Sequence, residues 1–196
     1  MARRTLLKPH DRQELVGIPT DEDSLIRHYS LSPADRLEIE VRRREHNRLG
    51  FALQLCLMRY PGRALIANEA LPMPMLNHVA EQVGADPASF ELYARREETR
   101  MNHVARLLGY LEMRSPTGED RRAALLAAIE TASTTDKGAV IANAIITMYR
   151  ERRVLLPVVT MIERMGLAAR AIARRRAEAA LISDLDPDKL EALDAL

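Results

Sequence analysis

Few side chains in this chain have the type and spacing that chemistry requires. His10, His28, His46, His78 and His103 are scattered, and none has a serine or cysteine partner at a spacing that would build a nucleophilic pair. Cys56 is the only cysteine, so it makes no internal disulfide. It sits in the most apolar stretch, where it should be a small buried hydrophobe. No Cys/His cluster has metal-ligand spacing, and there is neither a phosphate loop nor a glycine-rich nucleotide fingerprint. The many Asp and Glu residues read as helix-surface and helix-dipole charge. On these grounds no catalytic residue, metal or cofactor is assigned.

Arginine is what remains. Arg42, Arg43 and Arg44 form a run, followed by His46, Asn47 and Arg48. Arg96, Arg100 and His103 stand four and three apart, one stripe of a helix if that segment is continuous, with Arg106 next to it. A guanidinium clamps phosphate with two bonds or reaches guanine O6 and N7, while Asn and Gln suit adenine. Asn47, Gln54 and Asn102 are therefore candidates for base reading. For both arginine sets two readings stay open, contact with DNA or a solvated helix face. Arg174, Arg175 and Arg176 lie late in a long helix, where cations favour the dipole, and read as structural.

The elements that must position these groups are helical. The 196 residues are rich in Ala, Leu, Arg and Glu, 4% aromatic and without Trp, a composition for an all-α protein of one or two domains. The formal charge of +1 gives no global argument for nucleic acid. Locally, though, eight arginines between Arg150 and Arg176 face only Glu151 and Glu163, and the segment after them is acidic. No apolar run reaches membrane-spanning length and the N-terminus has no signal-peptide core, so a soluble, cytoplasmic protein is expected.

In order, residues 1–19 read as a basic, partly ordered arm with Arg3, Arg4 and Lys8. A short helix follows through Leu25, Ile26 and Tyr29. Ser32-Pro33 starts the next as N-cap and first helical residue, and that helix runs out into Arg42-Arg43-Arg44. The apolar helix from Asn47 to Tyr60 comes after it, stopped by Pro61-Gly62 and largely buried. Further helices are expected over about 75–83, stopped by Gly84, from Asp86-Pro87 to about 98, and over 100–113. Ser115-Pro116-Thr117-Gly118 reads as a linker. Beyond it come helices over about 119–132 and 137–153, a long helix opened by Pro157, and a last one from Asp186-Pro187. The expected organisation is a helical region over 20–114, made of two helix-turn-helix-sized blocks (about 20–62 and 72–114), then a helical extension over 119–196. No segment alternates with period two, so essentially no sheet is expected.

The order of these pieces carries a family resemblance. Leu25-Ile26-Arg27-His28-Tyr29-Ser30-Leu31-Ser32, the block Asn47-Arg48-Leu49-Gly50-Phe51-Ala52-Leu53-Gln54-Leu55-Cys56 and Arg59-Tyr60-Pro61-Gly62 closely resemble the N-terminal region of bacterial transposases of the Tn-three type. The likeness continues through Val79-Ala80-Glu81-Gln82-Val83, Tyr93 to Arg100 with His103, Thr135-Asp136-Lys137-Gly138, Arg152 to Pro157 and Ile162-Glu163-Arg164. It implies a helical region that binds the terminal inverted repeats of a transposon. In the family a downstream RNase H-like domain with a DDE triad and divalent metal cuts and joins the strands. None of those catalytic residues has a counterpart here, so the expectation is DNA binding without catalysis. The expected contact residues are Arg42, Arg43, Arg44, Asn47, Arg48, Arg59, Arg96, Arg100, His103 and Arg106. The partner is double-stranded DNA at the transposon ends, with a homodimer or transposase assembly as a second kind of partner. The competing reading is a helical interaction or regulatory module of a transposition system, without DNA specificity of its own.

Overall fold

The computed structural model describes residues 5–67, 69–95 and 97–183. Among them are ten α-helices and one short 3-10 turn. They are α1 (Pro9–Val16), α2 (Glu22–Tyr29), α3 (Pro33–Glu40), α4 (Glu45–Arg59) and α5 (Met73–Val83). After the 3-10 turn Pro87–Ser89 come α6 (Phe90–Ala94), α7 (Glu97–Tyr110), α8 (Gly118–Thr134), α9 (Gly138–Glu151) and α10 (Val159–Ser183). The all-α expectation holds, with one addition. Arg114 and Val154 form an isolated parallel bridge, because α9 ends in a turn with Arg153 at positive φ and the backbone groups of Arg153 and Leu155 then bond to Arg114, before α8.

Helix α4 is the axis of the first core. Ten consecutive residues, Leu49 to Met58, are buried, which a helix achieves only when neighbours cover it on all sides. Helices α2, α3, α5, α6 and α7 supply that cover. Cys56 lies inside this core, and burial raises its thiol to about 12, so it is inert packing as expected.

Helices α8, α9 and α10 form a second core. The described N-terminal residues from Leu6 to Val16 pack into it, where the sequence reads as a basic, partly ordered arm. Leu6, Leu7 and Val16 are buried there, and Arg12 makes a two-oxygen pair with Glu163 of α10 at 2.8 Å to each. Leu6 sits so close to the α10 backbone that a Cβ on Gly166 would collide with its side chain. The charges of this segment suggest an arm, but its two adjacent leucines decide the packing.

A single device is used twice to join elements. Ser32 caps α3 and accepts from the Asp35 amide, while Asp35 accepts from the Ser32 amide and hydroxyl at 2.7 and 2.8 Å. Asp35 is fully buried and also takes Arg59 from the end of α4 (2.8 and 2.5 Å) and the Tyr110 hydroxyl from the end of α7 (2.7 Å). Three helices thus meet on one carboxylate. Burial raises its pKa, but the Arg59, Tyr110 and Ser32 hydrogen bonds outweigh burial and hold it well below the usual carboxylate range. Thr117 and Asp120 repeat the box at the start of α8, with Arg114 on Asp120 at 2.5 and 2.7 Å.

Elsewhere the boundaries differ from expectation by a turn or less, apart from one interruption. The helix expected from Asp86 to about 98 is split: Arg95 closes α6, its amide bonding the Tyr93 carbonyl, and α7 starts afresh at Glu97. The helix expected from Asp186-Pro187 lies outside the described residues.

Candidate nucleic-acid interface

The turn between α3 and α4 collects the first arginine set. Val41 ends α3 in helical geometry, and Arg44 is the extended N-cap of α4. Arg43 and Arg44 are exposed and Arg48 is half-buried. Among the described residues none of these three has an ion-pair partner. All sit at the positive end of the α4 dipole. Arg48 also lines a cleft with Arg36, Ile39, Glu40, Gln82 and Val83. In it Arg36 donates to the Gln82 carbonyl. Nothing in the sequence marks Arg36 as part of this group, since it stands apart from the Arg42-Arg43-Arg44 run. Only the approach of α3 to the end of α5 brings it to the cleft.

The other arginines of the candidate set are held by protein groups. Arg42 donates to Glu38 at 3.1 Å, and its guanidinium lies over the Phe51 ring, 4.2 Å from the centroid. Arg106 donates to both oxygens of the same Glu38 at 2.7 and 3.0 Å. Arg106, then burial acting the other way, then Arg42 set the Glu38 pKa, which is lowered. Arg59 is the partner of Asp35. Arg100 is buried inside α7, 8% exposed. Arg96 lies outside the described residues.

His103 is buried in the first core. Its Nδ1 lies 3.2 Å from the Tyr93 hydroxyl, its ring stacks on Tyr93 and it meets the edge of Phe51. Burial, then the nearby Arg42 charge, lowers its pKa to about 4, so the ring is neutral at neutral pH. Asn47, in the first turn of α4, is half-buried, and its Oδ1 is shielded without a hydrogen-bond partner among the described residues.

This geometry gives the Asn-Arg-Leu-Gly-Phe-Ala block a physical meaning. Gly50 leaves room for the Tyr93 ring to lie directly on the α4 backbone, where an added Cβ would overlap the ring atoms. Phe51 then carries Arg42 on its face and His103 at its edge. The block's apolar half locks α6 and α7 onto α4, and its polar half, Asn47 and Arg48, stands beside the unpaired arginines. Gln54 turns inward; its Oε1 accepts from the Leu65 amide at 3.0 Å, a core role and not a surface one.

Two chemistries find no support in the side-chain arrangement. Among the described residues no group of three or more His, Cys, Asp or Glu could hold a metal ion, and no helix is long and apolar enough to cross a membrane.

What the arrangement offers is an all-helical scaffold with an arginine cluster at one helix start that has no ion-pair partner among the described residues. Comparison with known proteins gives the family. A domain of unknown function, DUF4158, matches residues 6–169, and the chain belongs to that family. Its relatives are transposases. The chain is 41% identical to the transposase for transposon Tn501 of Pseudomonas aeruginosa and 38% identical to that for Tn21 of Escherichia coli, in both cases over all of this chain and 20% of the relative. It is 30% identical to the transposase for transposon Tn1546 of Enterococcus faecium, over 98% of this chain. The resemblance to Tn-three-type transposases therefore holds across the chain, which spans about a fifth of the length of these relatives.

Proposed function

We propose that this chain is a double-stranded-DNA-binding module that recognises the terminal inverted repeats of a transposon, and that it performs no strand chemistry itself. The observation that carries the reading is the convergence of Arg43, Arg44 and Arg48 at the start of α4, without carboxylate partners among the described residues. Phosphates can occupy such guanidiniums without displacing an existing anion. Arg36 lines the same cleft as Arg48, and Asn47, whose Oδ1 is shielded, stays in the proposed contact set on sequence grounds.

On this reading the candidate set divides in two. Arg43, Arg44 and Arg48 face the duplex. Arg42, Arg59, Arg100, His103 and Arg106 hold the helices that present them, since contact with DNA would require each to give up burial or a carboxylate. Arg96 stays in the proposed contact set on sequence grounds. The transposase names of the relatives support the partner.

The test is fluorescence anisotropy on a duplex carrying the native transposon end against a scrambled duplex. Preference for the end by about tenfold, roughly 1.4 kcal/mol, supports recognition of the repeat. Equal affinity for both duplexes reduces the role to non-specific binding, and no binding to either favours an interaction module.

A further inference from the structure

Helix α3 keeps its polar anchors inside and its large apolar side chains outside. At about 100° per residue its inner face holds Asp35 and Ile39, and both are buried. Asp35 is bonded to Arg59 of α4 and Tyr110 of α7, and Glu38, half-buried, takes Arg106 of α7. These bonds fix the rotation of the helix. Leu37 falls at the centre of the opposite face, and Val41, the helical C-cap, lies one turn on. Leu37 is 68% exposed and Val41 66%.

Lone exposed apolar side chains are ordinary. What sets this pair apart is its rim. Arg43 and Arg44 follow directly after Val41, and both are exposed. On another edge Arg36 and Arg48 line one cleft with Glu40. Among the described residues none of these four arginines has an ion-pair partner. Positive charge therefore outnumbers the Glu40 carboxylate around the apolar centre.

An apolar strip framed by guanidiniums matches the major groove of B-form DNA. That groove is about 12 Å wide and admits one α-helix. Its floor offers an apolar group, the C5-methyl of thymine, and its walls are phosphates. A protein partner is the poorer match, because the core of such an interface needs large anchors seated in a pocket. Two aliphatic side chains do not supply that, whereas a methyl contact in a groove asks for no more.

We propose that α3 is the helix that enters the major groove, where Leu37 and Val41 read thymine methyl groups while the flanking arginines hold phosphates. The proposal rests on the DNA-binding function proposed above and adds to it the class of base contact that sets the sequence.

Anisotropy on the native-end duplex tests it, with each thymine replaced in turn by deoxyuridine, which removes only the methyl group. A scrambled duplex tests the underlying DNA-binding function separately. The variant is L37A/V41A; both side chains are exposed, and unchanged helical circular dichroism confirms that it folds. Wild type should bind at least one substituted duplex about fourfold more weakly, the worth of one buried methyl. L37A/V41A should bind the native end about tenfold more weakly and lose its sensitivity at the same thymines. Its salt slope should not change, since no phosphate contact is touched. Preference for the end with no thymine that matters, or a variant as sensitive as wild type, overturns the proposal and leaves end recognition standing. An L37A/V41A chain that binds the end as tightly as wild type also overturns it, and assigns the pair to a protein partner. No preference for the end in wild type overturns both.

Discussion

Replacing Gly50 by alanine should destabilise the chain although it adds a better helix former. Alanine in a helix interior is worth up to ~1 kcal/mol over glycine. At Gly50 the new Cβ would overlap the Tyr93 ring, well inside the roughly 3.5–4.0 Å that two carbons keep. Tyr93 is fully buried, and Phe90 and His103 flank its ring, so it has to retreat by about 1 Å or more against packed neighbours. Overpacking of that kind costs about 1–3 kcal/mol, occasionally more. With a core this closed the clash should outweigh the propensity gain, for a net loss of about 2 kcal/mol and a Tm lower by roughly 4–8 °C. Gly109 is the control: it too is helical, in α7, but an added Cβ there meets nothing within 4 Å, so Gly109→Ala should stabilise by ~0.5–1 kcal/mol. Thermal and urea unfolding followed by circular dichroism measure both. A Gly50→Ala variant as stable as the wild type would refute the assignment of Gly50 as the seat of Tyr93.

Asp35→Asn should cost about 3 kcal/mol, because it strips the charge partner from Arg59 at a buried site, and urea unfolding at neutral pH checks it. Since the folded-state pKa of Asp35 lies below its unfolded value, its contribution is fully present above about pH 4 and is lost as pH falls below that. The acid limb of the stability profile should therefore be shallower in the variant. The His103 pKa is lowered to about 4, so the unfolded chain takes up that proton first, and the related stability is complete above about pH 6.5 and fades as pH falls towards 4. A histidine ring titration by NMR should find His103 neutral at pH 6; a midpoint near 6.5 would contradict its burial.

Local signals are readable where a few adjacent residues decide the outcome. Ser32-Pro33 starts α3, Gly84 ends α5 in a left-handed turn, and the unbroken apolar run of α4 announces a buried helix. The fate of the arginines is not readable in the same way. Arg59 finds Asp35 across 24 residues and Arg106 finds Glu38 across 68, pairings that only the assembled helices create. An arginine on its way to a carboxylate and one left for phosphate look alike in sequence. Leu6 and Leu7 give no signal for a related reason: two leucines among charges carry no period, and their burial depends on a groove made by α9 and α10.

The most direct test of the account is the salt dependence of binding to the transposon-end duplex, compared for wild type, the triple variant R43A/R44A/R48A, and R106A. Each lost phosphate contact lowers the slope of log Kd against log salt by about 0.9. The account predicts a slope lower by roughly 3 in the triple variant, and an unchanged slope in R106A, whose guanidinium is bound to Glu38. An unchanged slope in the triple variant, or an equal loss in R106A, would contradict it.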